Sequence, residues 1–199
     1  MHEMANTQDF VLAAKRGDSD AFKALVRLET PDAFRLCLAI LRHPSDAEDA
    51  LQEAFCRAWR DLPDLRDAER WPAWFRRLTV RAAFDTARRR KASRIVPFAD
   101  HEPPPVSDCS AGVSRRDEVL RAMSRLDAND RALLALRFGQ DMELPDAAAV
   151  LGIPLGTAKS RLHRALGRMR NELESVDGHG ESPAGSARSR IEPTTESGL

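Results

Sequence analysis

The chain has 199 residues, of which 31% are charged and 6% aromatic, and its formal net charge is zero. Few aromatic residues and no Tyr disfavour a β-sandwich and favour solvated helices with narrow apolar stripes. The length fits one ordinary domain or two small helical ones. No signal-peptide run begins the chain, and no stretch approaches the ~18 apolar residues of a membrane span. We therefore expect an all-α protein located in the cytoplasm.

The balanced total charge hides a separation of signs along the chain. Between Trp74 and Arg94 there are eight basic residues and one acid. Between Leu155 and Arg170 there are five basic residues and no acid, whereas the stretch from Ser45 to Glu69 is acidic. Local basic patches matter more for nucleic-acid binding than the charge of the whole chain. The two basic segments are therefore candidates for DNA contact.

The first half of the chain is predicted to form successive helices that end at Gly or Pro. The first covers about Thr7 to Arg16, the second is expected to stop before Pro31, and the third before Pro44. A fifth helix is expected to begin with Pro72 in its first turn, a position that tolerates proline. It runs on to a basic cluster that ends at Lys91.

The fourth helix has the clearest pattern. Ser45 is the predicted N-cap, and Glu48, three residues later, completes a capping box. Apolar residues recur at i, i+3 and i+4, which predicts one buried face. The members of that face are Ala47, Ala50, Leu51, Ala54, Phe55, Ala58 and Trp59. The opposite face is acidic, and it is either simply solvated or a docking surface for a basic helix.

The second half begins after a break in periodicity from about Ala92 to Gly112, which contains three successive prolines and indicates a linker. Helices resume near Ser114, and Asp127 is a predicted cap for a helix ending at Gly139. Beyond Ser175 the composition predicts a disordered tail. The predicted organisation is a first domain over 7–92, a linker over 93–113, a second domain over 114–174 and a tail over 175–199.

The turn Gly152-Ile153-Pro154 lies between a short helix after Leu144 and a longer one from Leu155. Such a pair, with a basic outer face on the second helix, is typical of a DNA-binding helix-turn-helix. Arg and Lys can reach phosphates and guanine acceptors, while Thr and Ser hydroxyls can contact either. That face is predicted to carry Thr157, Ser160, Arg161, Arg164 and Arg168. The alternative is an ordinary solvated face within a small bundle.

The basic stripe of the fifth helix, with Arg77, Arg81 and Arg88, lies beside aromatic residues. Single-stranded DNA is bound in this way, because cations follow the backbone while aromatic rings receive unstacked bases. The alternative is that Trp71, Trp74 and Phe75 all belong to the core.

The three cysteines have no short metal-type spacing. Cys37 and Cys56 lie among apolar residues and are predicted to be small core residues, with a redox pair as the alternative. Cys109 falls in the expected linker.

Three segments resemble extracytoplasmic-function sigma factors of the sigma-70 family. The run from Asp46 to Phe55 is similar to their polymerase-binding segment, and the run from Trp74 to Leu78 to their helix for the minus-ten element. The run from Leu151 to Ala165 is similar to their helix-turn-helix for the minus-thirty-five element. The resemblance covers about 7–173 and implies an alternative sigma factor of the stress-response kind: two helical domains, the second a helix-turn-helix of four helices similar to a winged helix.

The resemblance also implies site residues. The residues expected to bind core RNA polymerase, at the clamp helices of its largest subunit, are Asp46, Asp49, Gln52 and Glu53. Those expected along the melted minus-ten strand are Trp74, Arg77, Arg81 and Arg88, although the family commonly has Asn at the position of Arg81. Those expected in the major groove at minus thirty-five are Thr157, Lys159, Ser160, Arg161 and Arg164.

The implied partners are core polymerase, including its flap, promoter DNA and a cognate anti-sigma factor. The resemblance implies no cofactor, no metal, no catalytic residue and no membrane insertion, and a monomer when free. One rival interpretation is a stand-alone helix-turn-helix regulator, against which the acidic fourth helix and basic fifth helix argue. The other is an enzyme, for which no nucleophile motif, phosphate loop or His/Cys/Asp cluster is present.

Overall fold

The computed structural model describes residues 2–93 and 115–177, which form eight α-helices and no strand. The prediction of an all-α fold is therefore confirmed. Most of the predicted linker and tail, and Cys109, lie outside the described residues. The helices are α1 (His2–Lys15), α2 (Ser19–Leu41), α3 (Pro44–Asp61), α4 (Trp71–Ser93), α5 (Arg115–Ser124), α6 (Ala128–Leu134), α7 (Leu144–Leu151) and α8 (Leu155–Asp177). Short 3-10 turns at Leu62–Asp64 and Ala68–Arg70 connect α3 to α4, and a π-helical turn at Ala135–Gly139 follows α6.

The first unit, α1 to α4, packs around aromatic rings on the inner face of α4. Trp71 and Phe75 are fully buried and stack with their ring centroids 5.3 Å apart. Phe55 of α3 stacks on Phe75 at 4.9 Å. The indole N–H of Trp71 donates to Glu29 at 2.9 Å, which satisfies the polar atom of an otherwise apolar site. Trp71 and Phe75 are therefore core residues rather than base-stacking platforms.

Helix α2 is one continuous helix, and the prediction that it ends before Pro31 is wrong. A proline within a helix removes one hydrogen bond and costs about 3 kcal/mol. Buried residues on both sides of Pro31 share one face, from Leu25 before it to Leu36 and Ile40 after it. Their burial in the same core outweighs the local cost. The hydroxyl of Thr30 also donates to the carbonyl oxygen of Val26 at 2.6 Å.

Helix α3 begins at Pro44, so the predicted N-cap at Ser45 is wrong. His43 is the N-cap residue, and its side chain makes no capping hydrogen bond. Proline is favoured at the first helical position because its missing N–H would have no partner there. The predicted buried stripe is confirmed for Ala47, Ala50 and Ala54, among others.

The two described cysteines lie in different environments. Cys37 is fully buried, and burial raises the pKa of its thiol to about 12. Cys56 is exposed, so its prediction as a core residue is wrong. It lies on the solvent side of α3, although apolar residues flank it in sequence. Neither cysteine forms a disulfide within the part of the chain that the structure describes.

The second unit, α5 to α8, contains the helix-turn-helix. Asp127 caps α6 by accepting from the amide of Asp130 at 2.9 Å, as predicted. Gly152 ends α7 in the left-handed region (φ 67°), which glycine adopts at low cost. This allows α8 to start three residues later. Buried Ala158 and Ala165 hold α8 against the unit, so its other sides face outward.

The two units are packed together. Leu133, Leu136 and Val150 of the second unit belong to the same buried cluster as the residues of the first. The Arg131 guanidinium reaches from α6 to the end of α2 and donates to the carbonyl oxygen of Ile40 at 2.8 Å. Gln140 accepts from Arg76 of α4 at 2.8 Å. Among the residues described, no helix is both long and apolar enough to cross a membrane.

Candidate nucleic-acid and protein interfaces

The outer face of α3 presents polar side chains opposite its buried alanine stripe. Asp49 and Gln52 are exposed. Asp46 pairs with Arg90 of α4 at 2.6 Å, and Glu53 pairs with Arg57 at 2.8 Å. Of the four residues predicted here, two are thus tied to neighbouring arginines, while Asp49 and Gln52 project freely enough to meet a partner.

An apolar groove runs beside this face, and sequence reasoning did not find it. It has a volume of about 530 Å³ and is lined by side chains of α2 and α3, including Phe22, Val26, Phe55 and Trp59. The prediction that Trp59 belongs to the buried face is wrong, because its side chain is 43% exposed and its ring lies 4.8 Å from that of Phe22. The sequence feature that could have indicated this exposure is the position of Trp59 at the end of the apolar stripe. Gln52 lines the same groove, so polar and apolar surfaces are continuous.

The minus-ten candidates on α4 differ in their exposure and in their hydrogen-bond partners. Trp74 is half-buried, with its ring 5.5 Å from that of Trp71. Arg77 is half-buried, and its Nε has no hydrogen-bond partner. Arg81 is exposed. Arg88 is exposed too, but it is paired with Asp85 on the preceding turn.

Arg81 and Arg88 line a cleft of about 760 Å³ whose other wall is the start of α6. Asp85 lies in the same cleft and also bonds Arg57 of α3 at 2.8 Å. Burial alone would raise the pKa of Asp85, but hydrogen bonds from Arg57 and Arg88 outweigh burial and hold that pKa below its usual value. The carboxylate therefore stays ionised and neutralises part of the basic stripe.

The candidates on α8 are more uniformly accessible. Lys159, Ser160 and Arg164 are exposed, and Thr157 and Arg161 are half-buried. Two hydrogen bonds of this face stay within the helix: Ser160 donates to the Thr157 carbonyl at 3.0 Å, and Arg164 donates to the Ser160 carbonyl at 3.3 Å. These polar atoms can exchange such local bonds for contacts to a nucleic acid.

Arg168, which is also predicted on this face, is exposed, and it pairs with a carboxylate of the neighbouring helix as well. It donates to the carboxylate of Asp130 on α6 at 3.2 Å. Burial and the nearby Asp127 raise the pKa of Asp130, while the charge of Arg168 opposes that rise. A buried carboxylate needs a partner, and Arg168 supplies one from one turn beyond Arg164.

Comparison with known families assigns both units. Residues 25–93 match the family described as Sigma-70 region 2, and residues 122–171 match Sigma-70, region 4. The first match contains the candidate faces of α3 and α4, and the second contains the helix-turn-helix.

Relatives match over more than four fifths of the chain. The ECF RNA polymerase sigma factor SigM of Mycobacterium tuberculosis is 35% identical over 84% of this chain and 84% of its own. The RNA polymerase sigma-E factor of Streptomyces antibioticus is 33% identical over 81% of this chain and 89% of its own.

Solved structures share the fold. CnrH, solved in complex with the cytosolic domain of CnrY, has a TM-score of 0.60 and 24% identity over 88% of this chain and 99% of its own. The Bartonella quintana sigma factor RpoE, solved with the anti-sigma factor NepR, has a TM-score of 0.64 and 23% identity. The match covers 77% of this chain and 96% of its own. The two family matches and the sequence relatives establish that the chain belongs to the ECF sigma factors of the sigma-70 family and directs RNA polymerase to promoters to initiate transcription.

Proposed function

We propose that this sigma factor divides promoter recognition between its two units and docks on core polymerase through the outer face of α3. The first domain spans 7–92, the second 114–174, and the linker 93–113 connects them. The factor performs no bond chemistry and needs no cofactor, because the polymerase supplies the active site. It acts in the cytoplasm, where the transcription machinery is found.

The docking surface consists of exposed Asp49 and Gln52, with Asp46 and Glu53 on either side. An acidic helix face suits a basic coiled-coil target such as the clamp helices of the largest subunit. The apolar groove beside Gln52 adds surface that charge alone does not provide. Apolar contacts at the centre of an interface generally carry more affinity than charges at its rim. The second unit would contact the polymerase flap.

The minus-ten surface is the basic side of α4, where Trp74, Arg77, Arg81 and Arg88 would follow one melted strand. Arginines hold the backbone while a half-buried ring can receive an unpaired base. Capture of unpaired bases stabilises strand opening, because the bound strand cannot re-pair. Asp85 neutralises part of this surface, so Arg81 is the main phosphate contact.

The minus-thirty-five surface is the outer side of α8, where Thr157, Lys159, Ser160, Arg161 and Arg164 would enter the major groove. Each domain alone binds a short segment weakly. Core polymerase holds both at a fixed separation and so turns them into a bivalent reader. Phosphate contacts make the affinity fall steeply with salt.

Regulation by an anti-sigma factor is also proposed. RpoE was solved with the anti-sigma factor NepR, and CnrH with the cytosolic domain of CnrY. The free factor is proposed to be a monomer, in which the two units share one buried cluster. A partner that holds these two units together would withhold the cleft side of α4 from DNA.

The observation that carries this proposal is the exposure of Asp49 and Gln52 directly opposite the buried stripe of α3. The test is run-off transcription with core polymerase on genomic fragments of the host. We expect discrete new transcripts that vanish with Asp49→Arg and persist with Asp9→Arg, which reverses an exposed acid on α1. No new transcripts, together with salt-sensitive DNA binding by the factor alone, would contradict the docking proposal.

A further inference from the structure

A small cavity lies where the two units meet. It has a volume of about 290 Å³, near the lower end of the range for ligand sites. The segment from Ile40 to His43 forms one side, the last turns of α4 another, and Arg131 of α6 closes it. Arg131 spans the seam, because it donates to the carbonyl oxygen of Ile40 in the first unit and to that of Leu126 in its own.

The lining of the cavity is strongly basic and contains no acid. Its charged members are Arg42, Arg90, Lys91 and Arg131, and His43 lies among them. Of these, Arg90 pairs with an acid, Asp46. Arg42 donates to the backbone carbonyl of Ser124 at 3.3 Å, a contact that leaves its charge uncompensated.

Bringing these cations together is unfavourable without a counter-charge. Burial lowers the pKa of Arg131, and the charge of Arg42 lowers it further. Burial lowers the pKa of Arg42 as well. Like charges gathered from separate elements in a partly desolvated pocket repel each other more strongly than in water. An anion placed between them would remove that repulsion.

One residue that lines the cavity, His43, has a polar atom without a partner. Nδ1 of His43 is buried and has no hydrogen-bond partner. His43 precedes the 18-residue helix α3, whose N-terminus has no side-chain cap and contributes positive potential. A buried polar atom without a partner costs free energy, and a ligand oxygen would satisfy it.

We propose that this cavity binds the phosphate groups of a small phosphorylated ligand, of the diphosphate class, and thereby bridges the two units. Guanidinium groups bind phosphate oxygens in a paired geometry, and Lys91 adds a point charge. The ligand would contact Arg42, His43 and Lys91 in the first unit and Arg131 in the second. The bound ligand would therefore stabilise the packing of the two units seen here, in which the start of α6 lies across the cleft from Arg81 and Arg88 of α4.

A duplex backbone offers the same phosphate chemistry. The closed seam favours the small ligand, because Arg131 spans the cavity and a duplex could present only a single phosphate at its mouth. The two sources differ in what they require: a free diphosphate binds the factor alone, whereas backbone contact requires DNA.

The test is a calorimetric titration of the full chain with pyrophosphate at constant ionic strength. We expect one saturable site per chain, weakened at least tenfold by Arg42→Gln and by Lys91→Gln. Arg66→Gln, which removes an exposed charge outside the cavity, should leave binding unchanged. Thermal unfolding without ligand verifies that each variant is folded. If one of the two cavity variants does not fold, the other still tests the site.

Two outcomes would overturn the proposal. Equal weakening by Arg66→Gln, or equal stabilisation by sodium chloride at the same ionic strength, would indicate general screening. A featureless pyrophosphate titration, together with weaker promoter binding by holoenzymes that carry Arg42→Gln or Lys91→Gln, would assign the cavity to the DNA backbone instead.

Discussion

Helices α4 and α8 have the same length, 23 residues, and both carry runs of arginine, but they differ in how many neighbours cover them. Helix α4 packs against α2 and α3 and also against the second unit, so that Leu78, Thr79, Val80, Ala82 and Ala83 are all buried. Helix α8 is held along one narrow stripe that includes Ala158 and Ala165.

We propose that this difference decides which arginines can contact DNA. On α4, Arg88 and Arg90 are paired with acids from the first unit, and Arg77 is half-buried. On α8, the hydrogen bond of Arg164 stays within its own helix. The central helix therefore uses much of its charge to hold the fold together, while the peripheral helix uses Arg168 in this way and leaves Lys159 and Arg164 exposed.

The largest expected effect comes from removing the buried anchor of α4. Trp71→Ala deletes a fully buried ring that stacks on Phe75, which should lower the free energy of unfolding by about 3–5 kcal/mol. Trp59→Ala is the matched control, since that ring is 43% exposed, and should cost about 1 kcal/mol. Urea unfolding monitored by circular dichroism measures both. Equal losses would mean that α4 is not centrally anchored.

The next largest effects are expected from two arginines of α8, one on DNA affinity and the other on stability. Arg164→Ala should weaken holoenzyme binding to a minus-thirty-five duplex by about 1–3 kcal/mol, at least several-fold, without changing stability. Arg168→Ala removes the partner of buried Asp130 and should instead lower stability by about 1 kcal/mol. Fluorescence anisotropy and thermal unfolding measure the two quantities. The division of roles on α8 is wrong if Arg168→Ala has the larger effect on DNA affinity.

A smaller effect is expected on the outer side of α4. Arg81→Gln should reduce the slope of log binding constant against log salt concentration by about one, because one phosphate contact is lost. Arg88→Gln should reduce it by about half as much, because Asp85 already neutralises part of that charge. The measurement is open-complex stability across a salt series. A larger slope change at Arg88 would show that the Asp85 pair opens on binding.

These differences also show what sequence could predict. Periodicity placed α3, α4, α7 and α8, because a helix with one buried face leaves that pattern in its residues. The pattern does not show what covers the other faces. The sequence predicts a helix end at Pro31, because the burial of Leu25 and Leu36 in a common core is a tertiary effect that local sequence does not record.

The candidate site was predicted in part for the same reason. Residue types identified the basic and acidic faces, and the resemblance assigned their roles. Pairing between elements was not predictable, since Arg168 meets Asp130 and Arg90 meets Asp46 across long stretches of chain. The interaction of Arg131 with the end of α2 depends on how the two units pack, which no local pattern records.

The smallest expected effect concerns the reactivity of the two described cysteines, one exposed and one buried. An alkylating reagent at neutral pH should modify exposed Cys56 and leave Cys37 unmodified, because Cys37 is buried and its pKa is about 12. Cys56 lines the groove beside Gln52, so core polymerase should protect it. Peptide mass mapping with and without core polymerase measures this. Unchanged alkylation of Cys56 in the holoenzyme would exclude the groove from the interface.

The most direct test of the central claim is site-specific photocrosslinking in the open promoter complex. A photoreactive residue in place of Arg81 should crosslink to one unpaired strand at minus ten, and one in place of Arg164 to duplex at minus thirty-five. That result would establish α4 and α8 as the two DNA-reading helices of one factor. Crosslinks from α8 alone, with α4 contacting only protein, would contradict the account.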